Sequence, residues 1–295
     1  MPELRSNPVV PAGSGRGSAL APAGLAGPAG QDDRLTAAAI AVLAFIGADA
    51  AHEVIGHGAA WAALGGRSAV MTTTRLIVDT HRLTVAGGRW LSVGGPLGNL
   101  VFAGLAALAQ RRVRGLGARG RLFLWLSLAF NLLWAVGYLI YSGVLGIGDW
   151  AELVRGVAPD WLWRTLLAVL GVALFLGSER TLARELRWFA GAGEPASARR
   201  AWRLVVTSYL ASGAVACAAA LPDPRGASQV LLSAVPVTFL GGLGLLRTPF
   251  FLARLPARPA AAAGPIARSV AWIAAAALAA ALFAGLLGPG LPVAW

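Results

Sequence analysis

Lysine is absent from this 295-residue chain, and charge of any kind is scarce. Only 13% of the residues are charged, and all 25 basic ones are Arg. Soluble domains carry about 25% charged residues, and a soluble surface this poor in charge would expose large apolar patches and aggregate. The single Cys217 excludes an intrachain disulfide and any Cys-based zinc cluster; in its Ala-rich run it reads as a small packing residue. With only three His in the chain, a di-iron site of the membrane desaturase kind is excluded, since those sites use far more. The net charge of +12 raises nucleic acid as a partner, but in so apolar a chain Arg-rich cytoplasmic loops account for it, and no nucleic acid partner is expected.

What the sequence does have is long apolar runs: 57% of residues are hydrophobic and the mean hydropathy is +0.67. Blocks near 20 residues match the bilayer thickness. Residues 1–34, rich in Pro, Ala, Gly and Ser, read as a disordered tail. Spans follow at about 35–64, 94–110, 122–147, 161–178, 204–221, 230–246 and 269–288. The expected fold is an all-α polytopic membrane protein of six to seven transmembrane helices. Between the first two spans, residues 67–90 are β-prone (Ser68 to Val78, then Arg82 to Val85), with Asp79-Thr-His as the turn; a small membrane-associated β-hairpin is expected there. Most of the Arg residues fall in the tail and in the 111–121, 180–203 and 247–268 loops. By the positive-inside rule these lie in the cytoplasm with the N-terminus, and the hairpin lies outside. The expected location is a bacterial cell membrane.

Four ionisable residues break the first span in the stretch Asp49-Ala-Ala-His52-Glu53-Val-Ile-Gly-His57-Gly. Such groups are costly inside a bilayer and mark function. A His-Glu…His helix is the zinc-protease pattern: two imidazoles bind Zn2+ and the Glu acts as general base. Here the spacing is five rather than four. On a regular α-helix, i+5 lies about 140° out of line, against about 40° for i+4. A π-turn of about 4.4 residues would bring His52 and His57 back to one face, and Gly56 and Gly58 would ease it. The spacing therefore predicts a widened turn between residues 52 and 57. Asp49, three residues before His52, either hydrogen-bonds a ligand imidazole or faces a polar path. His81 belongs to the hairpin turn.

Two further segments complete a pattern: Gly95-Pro96-Leu97-Gly98-Asn99 opening the second span, and Gly146-Ile-Gly148-Asp149 closing the third, with Asn131 inside it. Together with His52-Glu53…His57 they resemble the site-2 protease family of intramembrane zinc metalloproteases over residues 40–155. The resemblance implies zinc held by His52, His57 and Asp149, Glu53 as general base, Asn99 on the substrate backbone or oxyanion, and a membrane protein or peptide as substrate. It also implies a hairpin at the cytoplasmic face, opposite to the Arg count. The chain departs from the family around Asp149, which Trp150 follows and which lacks the usual Asn- and Pro-rich setting; Asp149 also fits an ordinary helix cap. Two other functions suit the same residues: a non-catalytic relative that binds or regulates, and a transporter with a polar intramembrane site. Residues 156–295 read as additional transmembrane helices.

Overall fold

The computed structural model describes residues 31–190, 195–256 and 263–294, so the expected tail, apart from residues 31–34, lies outside the described residues. Seven of its helices are long and apolar enough to cross a membrane. They are α1 (Arg34–Ala63), α2 (Val85–Arg112), α3 (Ala118–Leu145), α5 (Asp160–Ala190), α6 (Pro195–Ala220), α7 (Ala227–Ala253) and α8 (Val270–Leu287), with a short α4 (Asp149–Val154) between the third and fourth. In α8 the most apolar window has a mean hydropathy of 2.3, yet only 11% of it is covered by the rest of the protein. An apolar helix that bare calls for an apolar surrounding.

Asp33 starts α1: its carboxylate accepts from the Thr36 backbone N–H at 2.8 Å and from the Thr36 hydroxyl at 2.7 Å, satisfying an amide with no partner inside the helix. Nearby, Arg200 gathers several chain segments. It pairs with both oxygens of Asp32 and donates to the carbonyls of Phe189, Ala263 and Gly264. This joins the start of α1 to the Arg-rich ends of α5 and α6. The main core runs through the middle of the bundle, where Phe45 of α1 meets Phe130 and Trp134 of α3 edge to face.

At the opposite end of α1 lies a sheet of three strands in the order β2-β1-β3: β1 (Ser68–Met71), β2 (Leu76–Ile77) and β3 (Leu291–Ala294), both pairings antiparallel. The hairpin is shorter than expected and turns at Thr72–Arg75. There the Thr72 hydroxyl oxygen accepts from the backbone N–H of Thr74 and Arg75, a side-chain-stabilised turn. Asp79-Thr-His is an exposed loop instead, with His81 at the surface. Arg82 to Val85 forms no strand, because Thr84 caps α2, its hydroxyl accepting from Gly87 N–H at 3.1 Å. The helix therefore begins at Val85, and the Gly95-Pro96 segment lies within it rather than at its start. β3, which had no counterpart in the sequence pattern, pairs with β1 on the side away from β2.

Residues beyond 156 enclose this core. The α6–α7 connection clamps the hairpin turn: Arg75 pairs with buried Asp223 at 3.5 Å, and Gln229 donates to Thr74. The first half of α7 winds through two π-turns, Val230–Ala234 and Pro236–Leu240, and covers the cavity described next.

Candidate metal centre

The helical turn carrying the motif is widened where the five-residue spacing requires it. Ala51–His57 is a π-turn set within α1. Both imidazoles consequently face one point, with ring centroids 4.8 Å apart and planes at 86°. Gly56 serves a second need. A Cβ there would lie 2.5 Å from the Gly94 carbonyl oxygen and 2.7 Å from Gly95 Cα, so the widened turn rests backbone to backbone on α2. Small residues permit such close crossings of apolar helices. Gly58 has no comparable constraint, its nearest such neighbour being 3.7 Å away.

Asp149 arrives from the other side. Gly146 (φ 70°) and Gly148 (φ 89°) take left-handed conformations that suit glycine, and the chain reverses after α3 so that Asp149 opens α4. Trp150 then fixes α4 by donating its indole N–H to the Ala135 carbonyl at 3.1 Å. As a result Asp149 Oδ2 lies 3.1 Å from His52 Nε2, and Asp149 Oδ1 lies 3.6 Å from His57 Nε2.

Hydrogen bonding places a proton on Nδ1 of each imidazole. Asn131 donates to the Ser127 carbonyl, which can only accept, so Asn131 Oδ1 is left to accept from Asn99 Nδ2 at 2.9 Å. Asn99 Nδ2 also donates to the Ala48 carbonyl at 3.0 Å. Asn99 Oδ1 is thereby an acceptor, and His52 Nδ1 donates to it at 2.7 Å. His57 Nδ1 likewise donates to the Leu91 carbonyl at 2.8 Å. A neutral imidazole that donates from Nδ1 offers a lone pair at Nε2. With both rings neutral, two lone pairs and a carboxylate converge, an arrangement suited to a metal cation.

The three side chains together form a group that can bind a metal ion, one ligand atom from each lying within 4.8 Å of the others. Ligands at ~2.0–2.1 Å from a tetrahedral zinc are about 3.3 Å apart; the two oxygens of Asp149 lie 3.1 Å from His52 Nε2 and 3.6 Å from His57 Nε2. Gly95 leaves the room: a Cβ there would come within 2.5 Å of His57 Nε2 and 2.6 Å of His52 Nε2. No protein-family model, curated protein or solved structure matches this chain.

Glu53 is buried beside the group, its Oε2 without a hydrogen-bond partner among the described residues. It faces a cavity of about 980 Å3 that also exposes His52, His57 and Asp149, with Tyr138, Tyr141 and Phe175 in the wall. Tyr138 lies against His52, ring centroids 5.5 Å apart.

Two expected roles change. Asn99 is fully buried and spends its amide on Ala48, Asn131 and His52, so it orients a histidine from behind instead of meeting a substrate. Asp49 makes no hydrogen bond to His52; Asn99 takes the place foreseen for it. Asn131 and Trp150 are the residues the sequence reading left without a role. The clue available for Asn131 was an amide inside an apolar span.

Proposed function

We propose that this chain is a zinc-dependent intramembrane peptidase of the site-2 protease kind, cleaving peptide bonds within or beside the bilayer. The observation that carries the reading is the convergence of His52 Nε2, His57 Nε2 and the Asp149 carboxylate next to buried Glu53, whose Oε2 has no hydrogen-bond partner among the described residues. A purely structural Glu in that position would be hydrogen-bonded.

Zinc bound there would supply Lewis acidity toward the scissile carbonyl and a water acidic enough to lose a proton near neutral pH. His52 and His57 present lone pairs because Asn99 and the Leu91 carbonyl hold their Nδ1 protons, and such backing partners are worth 10–100-fold in metal affinity or activity. Glu53 takes the proton released as water adds to the peptide carbonyl and delivers it to the departing amine. The apolar cavity receives the substrate segment. A helical substrate hides its carbonyls and must unwind. β2 is an edge strand, and Leu76 and Ile77 line the cavity; an unwound segment adds to that edge by backbone pairing.

The test is cleavage of a panel of single-span membrane proteins in proteoliposomes by wild type and Glu53→Gln. The expected result is cleavage by wild type only, with equal zinc in both. Cleavage by Glu53→Gln at the wild-type rate would remove Glu53 as the base. Zinc-loaded wild type that cleaves none of the panel would favour a binding role.

A further inference from the structure

Glu53 stands between two compartments. Beside the large cavity is a small chamber of about 30 Å3 lined by Phe45, Asp49, Thr73 and Thr238; His52, Glu53, Thr74, Trp134, Tyr138 and Val237 border both spaces. Asp49 is 7% exposed, and Glu53 Oε2 is buried with no hydrogen-bond partner among the described residues. Carboxylates in an apolar helix are costly unless something satisfies them. The hydroxyls of Thr73 and Thr238 donate to the carbonyls of Ala219 and Ala234, which leaves their oxygens free only to accept. An occupant that can donate and accept hydrogen bonds suits this lining. One water needs about 10–15 Å3 measured this way, so the chamber holds about two.

We propose that this chamber is a water site, in which Asp49 keeps about two waters next to Glu53 and supplies hydrolysis from beside the substrate cavity. A hard cation fits less well, since it needs six or more oxygen ligands. The physical need is plain. Each cleavage consumes one water, and a substrate filling the apolar cavity shuts out the bulk. Asp49 is in this account a positioning residue, acting through water on Glu53. The catalytic half of the inference rests on the peptidase reading; the existence of the water site does not.

Radiolytic hydroxyl labelling tests it, because X-ray pulses turn bound water into a local label. Phe45 and Phe130 are each 3% exposed and their ring centroids are 6.1 Å apart, but only Phe45 lines the chamber. In wild-type protein, with or without metal, Phe45 is expected to label several times faster than Phe130. Asp49→Leu, which fills the chamber, should reduce Phe45 to the Phe130 rate, while Asp49→Asn stays within about twofold of wild type. In cleavage assays Asp49→Leu should lose tenfold or more in kcat, with KM and zinc content unchanged, and Asp49→Asn should recover most of it. Equal labelling of the two Phe in wild type means a dry chamber and overturns the proposal. Protection of Phe45 by added sodium assigns the chamber to a cation and also overturns it. Unchanged kcat in Asp49→Leu removes the supply role. If wild type cleaves nothing, the peptidase reading fails, and the labelling still decides the water site.

Discussion

His52 donates its Nδ1–H to Asn99 Oδ1 at 2.7 Å, a bond that joins α1 to α2 across 47 residues of sequence. Asn99 is held in turn by the Ala48 carbonyl and by Asn131, so three helices agree on the orientation of one imidazole. That relationship determines which nitrogen is offered to a metal.

Replacing Asn99 by Ala should weaken zinc binding 10–100-fold, the range for loss of a partner behind a ligating histidine. The buried Nδ1–H is left without an acceptor, and both the Ala48 carbonyl and Asn131 lose a donor. Competition against a fluorescent chelator measures the affinity. An Asn99→Ala protein that holds zinc as tightly as wild type would show that the chain of amides is not what orients His52.

Two glycines of α2 should respond oppositely to the same change. Gly95→Ala places a methyl within 2.6 Å of both Nε2 atoms, and zinc occupancy is expected to fall below a tenth. Gly88→Ala meets nothing within 4 Å and, at a half-buried helical position, should leave zinc intact and gain up to about 1 kcal/mol in helix stability. Zinc content and thermal unfolding of the two proteins, side by side, check both halves.

The widened turn carries one residue more than an α-helix would need to align two ligands. Val54 lies on its exposed side. Deleting Val54 shortens the spacing from five to four, and a regular α-turn then aligns the two histidines. Zinc binding within about tenfold of wild type is the expected outcome. Complete loss of zinc in a folded deletion protein would mean that the π-turn does more than absorb the extra residue.

That turn was legible in the sequence because the chemistry demanded it: two ligands five apart cannot share an ion on a regular helix. Asp149 was legible by resemblance to a family motif, and its geometry now rests on Gly146, Gly148 and Trp150. Other features were hidden for physical reasons. The Gly-rich stretch before Asn99 reads as a chain break by local preference, yet it is helical, because packing against Gly56 rewards small residues there. Asn99 and Asn131 were visible as amides in apolar runs, but their pairing across 32 residues leaves no local trace. β3 is four residues long and includes Pro292; only its register opposite β1, more than 200 residues away, makes it a strand. Asp49 looked aligned with His52, but the π-turn begins at Ala51 and changes the register between them. Asp49 faces the small chamber instead.

The most direct measurement is the metal content of protein purified without added metal and without chelator, determined by mass spectrometry for wild type, His57→Ala and Asp149→Ala. One zinc per chain in wild type and less than a tenth of that in both variants is the predicted result. Wild-type protein that is folded yet carries no metal and takes up none from micromolar zinc would contradict the account at its centre.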